Sequence, residues 1–127
     1  MRLFLVRHAE AAPGEPDALR PLTPAGRATA RALADELAPE HPDAVLCSPL
    51  LRARETAEQI ARAASVAAEV DERLAPGATA DDVREAVSGR GDTVVAVGHQ
   101  PDCTEILLDL TGEERAFAPG TSAVVEL

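Results

Sequence analysis

Three short apolar runs, Leu3–Val6, Ala44–Cys47 and Thr93–Val97, each stop abruptly at polar residues followed by a helix signal. Runs of this length are strand-sized, and consecutive apolar residues mark strands covered on both faces. Thr93–Val97 is the strongest of them. Thr23-Pro24 offers an N-cap and a Pro at the first helical position, and Ala28, Ala32, Leu33 and Leu37 recur at helical spacing down to Pro39. Ser48-Pro49 repeats that start, with Leu50, Ala53, Ala57, Ile60, Ala61 and Ala64 on one face. Thr79 opens a third helix, with Asp81 and Asp82 suited to its positive N-terminal end. Asp102–Leu110 reads as a fourth, ending at Thr111-Gly112. Val66–Val70 and Ser122–Leu127 complete the strands, the first of them edge-like, and Ala11–Pro21, with three Pro and one Gly, reads as loop. Strands alternating with helices predict an α/β three-layer sandwich, a mostly parallel central sheet flanked by helices.

Composition bounds what such a fold can do. The 127 residues suit one domain, 1–127, with no repeat or linker. With no Trp, no Tyr and two Phe, the core must be aliphatic. About one residue in five is Ala, which favours helices packed closely on a flat sheet. The net charge of −10 argues against nucleic acid or an anionic membrane as a partner, yet every one of the twelve basic residues is Arg. No apolar run is long enough to span a bilayer, and the apolar stretch at the N-terminus is too short for a signal peptide. Cys47 and Cys103 form no disulfide framework and read as packed thiols, so the expectation is a reduced, cytoplasmic protein. Three scattered His predict no metal site, and His41 reads as a solvent-exposed loop residue.

The chemistry gathers at the strand ends. The first strand ends in Arg7-His8, the second leads through Ser48-Pro49 to Arg52, and the strongest ends in Gly98-His99. In open parallel sheets, ligands bind at the carboxyl ends of strands. Two Arg and two His brought to one edge make an anion pocket: Arg forks match phosphate, and a His can attack phosphorus. Alone, each has a plainer reading as surface pair, solvated helix face or turn. Three junctions together favour a site.

Arg7-His8-Ala9-Glu10 resembles the Arg-His-Gly signature of the histidine phosphatase superfamily, the phosphoglycerate-mutase-like fold. Arg20-Pro-Leu-Thr-Pro-Ala-Gly26, Cys47-Ser-Pro-Leu-Leu-Arg-Ala-Arg-Glu-Thr-Ala57 and Val97-Gly-His-Gln-Pro101 are similar to three further blocks of that family, in the same order. The small size resembles the SixA-type phosphohistidine phosphatases. The resemblance implies that His8 is a nucleophile, that Arg7 and Arg52 hold the phosphoryl oxygens, and that His99 donates to the transferring group. It implies that Arg20 contacts the substrate at the pocket or its rim, and that no cofactor is needed.

Two positions depart from the family pattern. Ala9 stands where the signature has Gly, so a methyl group is expected to narrow the backbone's approach. Larger members carry a general-acid Glu in a mid-chain Leu-x-Glu, whereas Leu74-Ala75-Pro76-Gly77 puts Pro76 at the acid's place. Glu10, Asp17, Glu72, Asp81 and Asp82 remain as fallbacks, each a surface charge by default. A missing acid suits a phosphohistidine substrate, because neutral imidazole leaves without one. The expected function is thus a metal-independent phosphatase, cytoplasmic, monomeric and bacterial. Its substrate would be a phosphorylated protein such as a histidine phosphotransfer domain. The alternatives are a small-molecule phosphomonoesterase or a non-catalytic phosphate-binding module.

Overall fold

The computed structural model describes residues 1–127. Five strands, β1 (Arg2–Arg7), β2 (Ala44–Cys47), β3 (Ala68–Val70), β4 (Thr93–Gly98) and β5 (Ser122–Glu126), form one sheet in the order β3-β2-β4-β1-β5. All neighbouring pairs are parallel except β1 with β5, so the sheet is mostly parallel with one antiparallel edge. Four α-helices cover it: α1 (Pro24–Leu37), α2 (Leu51–Ala64), α3 (Ala80–Val87) and α4 (Asp102–Thr111). None is long and apolar enough to cross a membrane.

The unbroken apolar runs are explained by two cores. Phe4, Val6, Val45, Cys47, Val95 and Val97 pack beneath α1 and α2. Their neighbours Leu3, Leu5, Ala44, Leu46, Val94 and Ala96 face the opposite way and pack with α3 and α4. Strand side chains alternate between faces, so a strand buried on both has no polar position to spare. β5 has only one covered face: Ala123 and Val125 are buried while Val124 is exposed. Small residues on α2, Ala53, Ala57 and Ala61, let that helix lie close to the sheet around the fully buried Ile60.

The strand and helix assignments hold with local corrections. Ala28 and Ala32 are exposed; the buried stripe of α1 is Gly26, Ala30, Leu33, Ala34 and Leu37. Both stripes have helical spacing, and an Ala-rich helix offers little contrast to choose between them. Helix α2 begins at Leu51, capped by Leu50 with no side-chain bond, so Ser48 does not cap it. The third strand shortens to Ala68–Val70, at the sheet edge as expected. The Ala11–Pro21 loop contains one 3-10 turn, Asp17–Leu19, and a bridge from Ala11 to Leu22. His41 is exposed, as expected.

Connections from β1 and β4 leave toward opposite faces: β1 leads to α1 on one side and β4 to α4 on the other. Such a reversal opens a crevice at the carboxyl ends of two adjacent strands, where α/β sheets take their ligands. Two glycines shape its edge. Gly120, at φ +72°, donates its N–H to the carbonyls of both Arg7 (3.1 Å) and His8 (3.0 Å). Gly26, in the first turn of α1, lets the Glu10 backbone pass against the helix; a methyl group there would overlap the Glu10 carbonyl oxygen. Gly26→Ala should therefore destabilise the protein by about 1–3 kcal/mol through overpacking, read as a lowered urea midpoint with an unchanged slope.

Candidate active site

The site is assembled by strand register. Arg7 on β1 pairs with Gly98 on β4, and the His8 N–H donates to the Gly98 carbonyl at 3.1 Å. His8 and His99, each one residue beyond its strand, therefore emerge side by side, with ring centroids 5.2 Å apart and planes tilted by 58°. On the other flank of β4, Cys47 pairs with Val97, and Ser48 donates its N–H to the Val97 carbonyl at 3.0 Å. That places the fully buried Ser48 under His99, with Oγ 2.7 Å from Nε2.

A cavity of about 340 Å³ opens above this row. Arg7, His8, Arg20, Arg52 and His99 all line it, so the structure brings together every residue that the sequence placed in an anion pocket. Each Arg is tethered by a carbonyl. Arg7 Nη1 donates to Phe117 O (2.7 Å), Arg20 Nε to Ala12 O (2.8 Å) and Arg52 Nη1 to Asp17 O (2.9 Å). The Asp17 carboxylate bridges two of them, accepting from Arg20 Nη1 at 3.0 Å and Arg52 Nη2 at 3.2 Å. These bonds hold its carboxyl below the usual range, so Asp17 is ionised at neutral pH and no proton donor.

His8 donates Nδ1–H to the Ala9 carbonyl at 2.7 Å, which leaves Nε2 with its lone pair. Burial lowers its pKa; the Ala9 hydrogen bond opposes this, and the nearby Arg52, Arg7 and Arg20 add to it, so the ring is neutral near pH 7. Burial drives His99 further, from 6.5 to about 4, with His8 and Arg52 contributing.

The methyl group of Ala9 does not narrow the cavity as expected. Ala9 is fully buried in a small cluster with Leu22 and Ala30, and its N–H is held by Thr56 Oγ1 at 3.1 Å. Helix α1 supplies the pocket that absorbs it. Among the fallback carboxylates, Glu10 alone lines the cavity, accepting from Thr23 Oγ1 at 2.8 Å. Glu72 and Asp81 lie outside it, and Asp82 closes the capping box of α3 with Thr79. Pro76 does line the cavity, in a loop clasped by the bond from Gly77 N–H to the buried Asp102 carboxylate at 2.8 Å. Gln100 also lines it, but its amide is bound at both ends to Thr104. Burial raises the thiols of Cys47 to about 11 and Cys103 to about 12, so both are packing groups.

Sequence reasoning missed four supports: Ser48 under His99, Phe117 behind Arg7, Asp17 between Arg20 and Arg52, and Thr56 beneath Ala9. Ser48 carried the signal of a helix cap, and Phe117 carried only that of an isolated aromatic in a polar stretch. Asp17 stood out only as a fallback acid, and Thr56 only as a member of the Cys47–Ala57 block.

The family model described as the histidine phosphatase superfamily, branch 1, matches residues 3–76. A structure of the protein histidine phosphatase SixA complexed with tungstate is 28% identical. It covers 100% of this chain and 88% of its own, with TM-score 0.88. An Agrobacterium tumefaciens protein assigned as a SixA phosphohistidine phosphatase is 30% identical, over 97% of this chain and 89% of its own, with TM-score 0.82. The α-ribazole phosphatase of Shigella flexneri shares the fold at 18% identity, covering 100% of this chain and 91% of its own, with TM-score 0.80. No curated protein matches the chain in sequence.

The low imidazole pKa values set a pH dependence of stability. The unfolded chain protonates its histidines near 6.5, whereas folded His99 resists until about 4. The unfolded state thus binds more protons between those values, and stability falls as pH drops through that window. His99 should account for about 3 kcal/mol of this loss. Urea unfolding at pH 6.5 and 4.5 should show a smaller difference for His99→Gln than for the parent protein.

Proposed function

The chain belongs to the histidine phosphatase superfamily, and we propose that it is a phosphohistidine phosphatase acting through a covalent intermediate on His8. The observation that carries this reading is Pro76 in the cavity wall, at the position where the family resemblance implies a general-acid Glu in larger members. Likeness to SixA structures supports it, and so does tungstate, a tetrahedral oxyanion, in one of them.

In this mechanism the free Nε2 of His8 attacks phosphorus, the bond to the substrate's ring nitrogen breaks, and the phosphoryl group passes to His8. Its oxygens lie among Arg7, Arg20 and Arg52, whose tethered guanidinium groups still have unused N–H donors. The Nε–H of Arg7 is buried without an acceptor in the protein. Such pre-placed charge is the main resource in phosphoryl transfer. Water then attacks phosphorus, the His8 ring leaves, and inorganic phosphate departs. An alkoxide leaving group needs a positioned acid, worth about 10²–10⁴-fold in rate. A phosphohistidine already protonated on its other ring nitrogen departs as neutral imidazole, whose conjugate acid has a pKa of about 6.5. The phosphorylated partner is a side chain presented by another protein, entering an open cavity.

A phosphomonoesterase is the second reading, and Glu10, the single carboxylate lining the cavity, favours it. Leaving-group dependence separates the two. Log kcat/KM should fall steeply with rising leaving-group pKa across aryl and alkyl phosphates, with phosphohistidine fast and phosphoserine barely turned over. A flat plot with chemistry rate-limiting identifies a proton donor and favours the monoesterase.

His8→Ala should lower turnover by at least about 10³-fold while leaving the fold intact. Phosphate trapped on the parent enzyme should be acid-labile and base-stable, as a phosphoramidate is. Arg52→Lys keeps the charge but loses the fork, and kcat/KM should fall by roughly 10²-fold. Near-normal kinetics in either variant would place the chemistry elsewhere.

A further inference from the structure

We infer that Ser48 is a positioning residue: its hydroxyl confines His99 to the tautomer that presents Nδ1–H, a donor, to the cavity. This rests on the reading of the cavity as a phosphoryl-transfer site, but the hydrogen-bond accounting stands by itself.

Ser48 is fully buried, and its Oγ has two partners, the Leu50 N–H at 3.2 Å and His99 Nε2 at 2.7 Å. The Leu50 N–H can only donate, so Oγ accepts there. The bond to His99 can run either way. If the ring donated, the hydroxyl proton would be buried with no acceptor, and a bare Nδ1 lone pair would face the phosphoryl oxygens. If the hydroxyl donates to Nε2, every group is satisfied and the ring proton sits on Nδ1. Leaving a buried donor unmade costs more than making the bond gains, which decides the direction. Nδ1 has no partner in the protein, is not sealed from solvent, and belongs to a residue lining the cavity.

The burial that keeps His99 neutral makes this choice necessary, because a neutral ring has one proton to place. His8 is set in the complementary sense. Its proton is spent on the Ala9 carbonyl, so it offers a lone pair where His99 offers a donor. Neither ring is ionised, yet one can attack phosphorus while the other stabilises the charge that develops. The helix that carries Arg52 starts just past Leu50, whose N–H is the other donor to Ser48 Oγ.

The test begins on the unmodified protein. With three His in the chain, long-range nitrogen–proton correlation spectra of ¹⁵N-histidine-labelled protein near pH 7 resolve the rings, and His99→Gln assigns one of them. His99 should show a protonated Nδ1 and an unprotonated Nε2; a protonated Nε2 overturns the inference. Ser48→Ala should then mix the His99 tautomers and lower kcat for p-nitrophenyl phosphate by about 10-fold, with a smaller change in KM. Ser48→Thr, which keeps the hydroxyl, should restore both the single tautomer and the rate. An unmixed tautomer with unchanged kcat in Ser48→Ala overturns the inference too. The spectrum needs no substrate, so failure of the parent protein to turn over any phosphate counts against the phosphatase reading alone.

Discussion

The parallel ladder joining β2, β4 and β1 is the constraint from which the site follows. Pairing Cys47 with Val97 and Arg7 with Gly98 brings three strand ends to one level. Ser48, His99 and His8 then stand in a row without any loop having to be ordered for the purpose. A slip of one residue in either pair would turn every side chain of the moved strand to the wrong core and separate the two rings. Both faces of these strands are buried, so the two hydrophobic cores that stabilise the fold also enforce the register that builds the cavity.

On this frame the cations are held rather than merely placed. Arg7, Arg20 and Arg52 each give one donor to a main-chain carbonyl, two of them in the loop between β1 and α1 and the third in the segment before β5. Fixing the guanidinium planes in advance removes reorganisation from the binding of a tetrahedral anion, which is how electrostatic stabilisation becomes effective. It also explains a cationic cavity on a chain of net charge −10. Most of the excess acid lies elsewhere on the surface, and Asp17 is turned to bridging Arg20 and Arg52. Arg suits this work where Lys does not, because a fork can bond a carbonyl on one side and a ligand on the other.

The two histidines divide the chemistry by hydrogen bonding rather than by charge. Burial keeps both neutral, and their backbone and hydroxyl partners decide which nitrogen each one shows. Where a carboxylic acid would complete such a site, Pro76 closes the wall, held by the clasp between Gly77 and Asp102. On the phosphohistidine reading, the leaving group in this cavity departs without help from an acid.

Much of this was legible in the residues themselves. The apolar runs, the Pro and Thr that start helices, and the Arg and His at strand ends are local signals, and they determined the strands, the layered fold and the cationic character of one sheet edge. Local signals also misled: Ser48-Pro49 reads as a helix cap, and the Ala-rich α1 gives two stripes of similar apolarity that share Leu33 and Leu37, of which Ala30 and Ala34 mark the true one. Only the tertiary structure decided what each polar atom bonds. Ser48 and His99 lie 51 residues apart, and Arg7 and Phe117 lie 110 apart. The partner of Arg7 is a main-chain carbonyl, which every residue type carries. No sequence pattern marks such an acceptor; its position is set when the strands take their register and the two cores close around them.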